Sequence, residues 1–289
     1  MTTAVLESRA GRRCHNVLNS LHAAHYFSPD LGEELSALGI THPKARNFAV
    51  RGAALGPVGP GTVAAVFYNY KYELVARHVP GVWESASPAQ ILDARARAVD
   101  ATLRRLLGEE ILTSPEMAEA AGLALRATEA CTRPARPLYS AHADLPVPEQ
   151  PHMALFHAAT LLREHRGDGH VALLMAAGLD GLEAVVTHTA TGKGMTPKWV
   201  FATRGWSQEE WDAACERLRG RGLLDEGGEL TEQGVALRAQ IEADTDRLDR
   251  APYEHLGAQG VERLTELGKA FAGAAVGAGA FPADLIGKD

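Results

Sequence analysis

The chain is poor in cysteine, has no long apolar run and no excess of positive charge, and carries none of the short motifs of nucleotide chemistry. Its three cysteines, Cys14, Cys131 and Cys215, stand far apart among 289 residues with no CxxC pair. Neither a disulfide framework nor a cysteine zinc site is expected, and all three read as buried thiols. The apolar stretch from Ala270 to Phe281 is interrupted by glycines and falls short of the roughly 20 residues a membrane span needs. Met1 to Arg13 has no apolar core of signal-peptide length and places its arginines after its apolar residues, so a cytoplasmic location with no membrane partner is expected. Asp and Glu number 36 against 29 Lys and Arg, a net charge of -7, which disfavours a partner bound mainly through its phosphates. No P-loop, no GxGxxG after a strand, no GxSxG and no HExxH is present, so no cofactor is indicated, although a His-ligated metal is left open.

What is present is ordinary packed-protein composition, 46% hydrophobic and 22% charged, in a chain long enough for one large or two ordinary domains. Helical periodicity dominates. Helices are expected over residues 9–27, 31–38 (capped by Ser28 or Asp30), 46–55, 62–78, 89–107, 116–131, 151–165, 170–177, 179–189, 208–221, 232–248 and 260–275. Ser207 with Glu210 three residues on forms a capping box, and Thr231 caps the helix after it. Leu223 to Leu230, with Gly227-Gly228 at its centre, reads as two short strands around a tight turn. Prolines 134, 137, 146, 148 and 151 punctuate the least periodic segment, which marks residues 136–150 as a linker between a first half, 1–135, and a second, 151–289.

The two halves echo one another. Phe48-Ala49-Val50-Arg51-Gly52 matches Phe201-Ala202-Thr203-Arg204-Gly205, and aligning His25 with His165 brings the preceding helices into parallel. The offset is 140 residues at the histidines and 153 at the pentamers, so the second half would hold an insertion of 13 within Thr187 to Pro197. A repeat this long indicates a duplicated domain rather than a solenoid.

In the second half, the helix ending Arg217-Leu218-Arg219-Gly220-Arg221-Gly222, the hairpin and Leu230-Thr231-Glu232-Gln233-Gly234 resemble a MarR-type winged helix. Across the whole chain, Phe67-Tyr68-Asn69-Tyr70, Leu162 to Val171, Arg204-Gly205-Trp206 and Glu210-Trp211 resemble the actinobacterial SalK-like helix-turn-helix family, distant relatives of MarR regulators. The resemblance implies a mainly α fold: a tandem duplication of a MarR-like winged-helix domain forming a pseudo-dimer within one chain, with short β-hairpin wings. Further oligomerisation is left open. A recognition helix meets DNA near its N-terminus, where this chain has Gln208-Glu209-Glu210-Trp211-Asp212, and the wing is Asp225-Glu226-Gly227-Gly228-Glu229. Both are acidic; only Arg217, Arg219 and Arg221, at the far end of the helix, could serve DNA.

Chemistry-bearing residues concentrate in His165-Arg166-Gly167-Asp168-Gly169-His170, read as a glycine-flanked turn between helices at which side chains converge. On that reading His165, His170 and His25 are acid/base or metal-ligand candidates, Asp168 orients an imidazole, and Arg166 holds an anionic group. His22 shares a helix face with His15, and His22, Tyr26 and Tyr68 are candidate pocket-lining residues. Against this, Asp168 can simply cap a helix and Arg166 form an ion pair, and lone histidines and aromatics are usually core. The expectation is a small organic ligand bound in a pocket between the central helices and the winged lobes, with reduced or lost DNA binding. The alternatives are a ligand-responsive DNA-binding regulator, or an enzyme of secondary metabolism using the His/Asp/Arg site.

Overall fold

The computed structural model describes residues 6–7 and 9–285, so the reading of Met1 to Arg13 falls partly outside the described residues. Among the described residues there are fourteen α-helices and no strand; the expected hairpin is reduced to one antiparallel bridge, Leu224 with Leu230. The turn itself forms, through Asp225 N–H to the Glu229 carbonyl and Gly228 N–H to the Asp225 carbonyl. Three residues either side of two glycines supply too few paired groups to extend a ladder.

Two compact units interleave along the chain: residues 1–57, 83–169 and 246–281 form one, and residues 58–82, 170–245 and 282–289 the other. Unit 1 holds α1 (Ala10–Ala23), α2 (Pro29–Ala37), α3 (Pro43–Gly52), α6 (Pro88–Leu112), α7 (Pro115–Thr128), α8 (Pro137–His142), most of α9 (Pro151–Ala176), and α14 (Arg250–Gly277). Its core joins Leu18 and Leu21 of α1, Leu103 and Leu106 of α6, Met117 and Ala124 of α7, Leu155 and Leu162 of α9, and Leu264 and Phe271 of α14. The proline-rich segment is therefore partly architectural: α8 buries Leu138, Tyr139 and His142.

Unit 2 holds α4 (Pro60–Phe67), most of α5 (Tyr72–Ser85), the end of α9, α10 (Gly181–Thr189), α11 (Pro197–Arg204), α12 (Gln208–Gly220) and most of α13 (Glu232–Leu248). Its core gathers Leu174, Leu179, Leu182, Val186, Ala214, Leu218, Leu223 and Ile241.

Two boundaries differ instructively from the sequence pattern. The single helix expected over 62–78 breaks at Tyr68, whose φ of 59° is unusual for a bulky side chain. Unit 2 supplies partners for the groups freed there: the Tyr68 hydroxyl donates to the Leu179 carbonyl, Lys71 N–H to the Arg204 carbonyl at 3.0 Å, and Trp206 Nε1 to the Asn69 carbonyl at 3.0 Å. Conversely, the turn expected at Arg166 to Gly169 is helical, and α9 runs unbroken through both glycines. Gly169 has a packing reason, since a Cβ there would stand 2.7 Å from Nη1 of the buried Arg136.

Candidate functional site

In unit 2, α11 and α12 are joined by the three residues Gly205-Trp206-Ser207, a helix-turn-helix arrangement. Gly205 adopts φ 85°, and a Cβ there would meet Leu74 Cβ at 2.8 Å, so both backbone and space require glycine. The capping box is formed as expected: Ser207 Oγ accepts from Glu210 N–H, and Glu210 accepts from Ser207 N–H. Glu209, Asp212 and Glu216 occupy the exposed face of α12. The arginines behind them are engaged within the unit. Arg217 Nε donates to the buried Glu183 at 2.9 Å and its Nη2 to Asp180 at 2.8 Å. Arg221 Nη1 reaches Glu183 at 3.1 Å and the Gly178 carbonyl at 2.9 Å, while Arg219 binds Glu216 and the Asp225 carbonyl. These contacts fix the start of α10 and the turn after α12.

Unit 1 contains the densest polar chemistry. His22 at the end of α1 stacks on Phe156 of α9 at 4.6 Å, with the His25 ring edge-on to both at 5.0 and 5.1 Å. Tyr26 lies 3.9 Å from His25, and the Arg163 guanidinium stands 5.8 Å over the Tyr26 ring. The 3-10 turn Ala24–Phe27 sets this geometry, because it lets His25 Nδ1 donate to the His22 carbonyl at 2.6 Å. His142 Nδ1 likewise donates to the Leu138 carbonyl at 2.8 Å, which leaves its Nε2 lone pair to accept from Arg95 Nη1 at 3.1 Å. Arg95 also donates to the Val50 carbonyl at 3.0 Å. The carboxylate of the group is Glu164, 3.3 Å from Arg51 and 3.5 Å from Arg163. His22 Nδ1 is buried without a hydrogen-bond partner. A small cavity of about 10 Å³, room for about one water, is lined by His22, Phe156, Leu103, Met117 and His152 among others.

Burial and positive neighbours keep these imidazoles neutral. Burial, and then Arg95, pushes His142 and His157 down to about 4. His25 falls to about 3 through burial, against its carbonyl bond and assisted by Arg95 and Arg163. His22 lies well below the ordinary histidine value from burial, with His25 and Arg163 adding to it. For Glu164, burial pulls the carboxyl upward, but Arg51, Arg163 and His142 outweigh it and hold it below the usual range.

A second buried group lies further along α9. His165 Nδ1 donates to Asp249 Oδ1 at 2.8 Å, and both residues are nearly inaccessible. The pair holds the imidazole in the tautomer that leaves Nε2 as the basic nitrogen. Asp249 Oδ2 and the Tyr253 hydroxyl are buried with no hydrogen-bond partner, although Arg166 Nη1 stands 3.8 Å from that oxygen. Arg166 and Arg12 both bind Asp246.

The expected residues are thus distributed over separate groups. His22, His25 and Tyr26 meet; His165 and Arg166 belong to the Asp246–Asp249 group; His170 lies in unit 2, where its Nδ1 meets Thr245 Oγ1 at 2.9 Å, and Tyr68 also lies there. Asp168 caps a helix, but not the expected one: its Oδ2 accepts from Tyr139 N–H at 2.9 Å, in the first turn of α8. Burial, opposed by that bond, raises Asp168 to about 6. The His165-to-His170 convergence fails because residues five apart on a continuous helix point in different directions. Arg51, Arg95, His142, His157 and Glu164 were not singled out. The available signal was polar spacing inside an apolar helix: His157, Glu164 and Asp168, seven and four residues apart, share one face of α9. Among the described residues, no three His, Cys, Asp or Glu side chains converge as a metal-holding set.

The fold and the α11–turn–α12 arrangement define a helical protein of helix-turn-helix type. Consistent with this, the chain belongs to a helix-turn-helix family, whose model matches residues 11–282. No curated protein and no solved structure matches it.

Proposed function

We propose that this is a small-molecule-binding protein on a MarR-derived winged-helix scaffold, akin to the SalK-like regulators, in which DNA contact is reduced or lost. The observation that carries the reading is the buried histidine and arginine cluster of unit 1. A cluster that only stabilised the fold would bring each polar atom a partner, since a buried group left unbonded costs about 1–3 kcal/mol. Here His22 Nδ1 has none. Groups held this way against their solvation preferences are characteristic of binding sites.

The weakened DNA contact is supported by α12. Its exposed face carries Glu209, Asp212 and Glu216, and Arg217, Arg219 and Arg221 already hold partners within the unit. A polyanion would meet carboxylates first. The rival reading, a ligand-responsive regulator, draws on the same helix-turn-helix geometry and on family membership.

Two measurements on the full chain separate them. Titration with a mixed pool of duplex DNA at about 150 mM salt should give no binding tighter than micromolar, the range of nonspecific contact. A nanomolar complex with one duplex and a steep salt dependence overturns the loss of DNA binding. A thermal-shift screen against a library of small organic compounds should return ligands whose effect disappears in His22→Ala. A screen with no ligand overturns the small-molecule reading.

A further inference from the structure

The charge balance of the unit 1 cluster specifies more than a pocket. Arg51 and Arg163 share the single carboxylate of Glu164. Arg95, half-buried on α6, donates to two acceptors, and both are uncharged: the Val50 carbonyl and His142 Nε2. The residues that feel its charge include His22, His25, His142 and His157, none of which offers a negative charge. A guanidinium withdrawn from water without a directly bonded anion is unfavourable, and an arriving anion is correspondingly favoured. The rings of His22 and Phe156 and the side chains of Leu103 and Met117 provide apolar surface beside it.

We propose that Arg95 anchors a small organic anion, its carboxylate-like end bonded to the guanidinium and its apolar body laid against the His22 and Phe156 rings. This assignment rests on the small-molecule reading above and names the ligand's charge. Tyr26, Arg95 and Arg163 are only partly buried, so they form the side of the cluster that solvent reaches. The anion supplies the counter-charge that Glu164 does not supply to Arg95 directly.

The test is calorimetric titration of the full chain with benzoate, its uncharged analogue benzamide, and inorganic phosphate. Benzoate is expected to bind at least tenfold more tightly than either of the others. Arg95→Met should weaken benzoate at least tenfold and leave benzamide unchanged, while Arg95→Lys should recover part of the loss. Because Arg95→Met also removes bonds to Val50 and His142, the wild-type imidazole resonances provide a second readout: benzoate should shift those of His142 and His25. Benzamide binding as tightly as benzoate overturns the anion assignment and leaves the small-molecule reading standing. Phosphate binding as tightly as benzoate overturns the organic part. Benzoate failing to bind, or binding without moving the His142 and His25 resonances, overturns the assignment, and the library screen then decides the broader reading independently.

Discussion

At the scale of single residues, the histidines of unit 1 make stability depend on pH with a definite sign. His142 and His157 stand near 4 and His25 near 3 in the folded chain, against an ordinary value of 6.5. Between those limits the unfolded chain binds more protons, so stability falls as pH falls through that window. Lowering the pH from 7 to 5 should remove about 2 kcal/mol for each such histidine. Glu164, held below its usual range, acts in the same direction at lower pH. Asp168, raised to about 6, has the opposite sign, because its folded form takes up the proton first; it offsets about 1 kcal/mol over the same interval. Urea unfolding at the two pH values should therefore show a net loss on acidification, and His142→Gln should reduce it. A stability that is level or rises towards pH 5 contradicts the neutral assignment of these imidazoles.

At the scale of elements, α9 shows why patterns were legible in one place and not in another. Gly167 and Gly169 lie two residues apart in a polar stretch, and local chemistry there favours a turn. The helix continues because its neighbours require it: Asp168 caps α8, Arg166 binds Asp246, and Arg136 donates to the His165 carbonyl. Substitution separates the two glycines. At Gly167 the nearest atom to an added Cβ is 3.8 Å away, so Gly167→Ala should stabilise by up to about 1 kcal/mol through helix propensity. At Gly169 the Cβ would meet Arg136, which also donates to the Leu248 carbonyl at 3.1 Å, and Gly169→Ala should destabilise by about 1–3 kcal/mol. Thermal melts of the two variants that moved in the same direction would count against this packing. Capping signals such as Ser28, Ser207 and Thr231 were readable because they act within a few residues of one another. The break at Tyr68 and the partners of His142 depend on residues scores of positions away, and no local spacing encodes them. The Phe48 and Phe201 pentamers illustrate both limits. Each ends a helix, yet Gly52 is helical at φ -83° and Gly205 left-handed at φ 85°, so the same letters perform different backbone tasks.

At the scale of the whole molecule, the order of the chain and the composition of its cores disagree, with a consequence for how it folds. The core of unit 1 takes α1, α6 and α7 from before the proline-rich segment and α9 and α14 from after it. Residues 151–289 expressed alone would leave Leu155, Leu162, Leu264 and Phe271 without Leu18, Leu21, Leu103 and Met117. Each of these large apolar side chains contributes about 1.5–3 kcal/mol on burial, and a domain's net stability is only about 5–15 kcal/mol. Unit 2 likewise draws residues 58–82 from the first half, so the fragment would also lose the segment that donates Trp206 and Arg204 their backbone partners. Neither 1–135 nor 151–289 should therefore fold independently. Circular dichroism of each fragment is expected to show no cooperative thermal transition, whereas mixing the two should restore one. A sharp melt from either fragment alone would instead favour autonomous halves, as a duplicated pair of domains predicts.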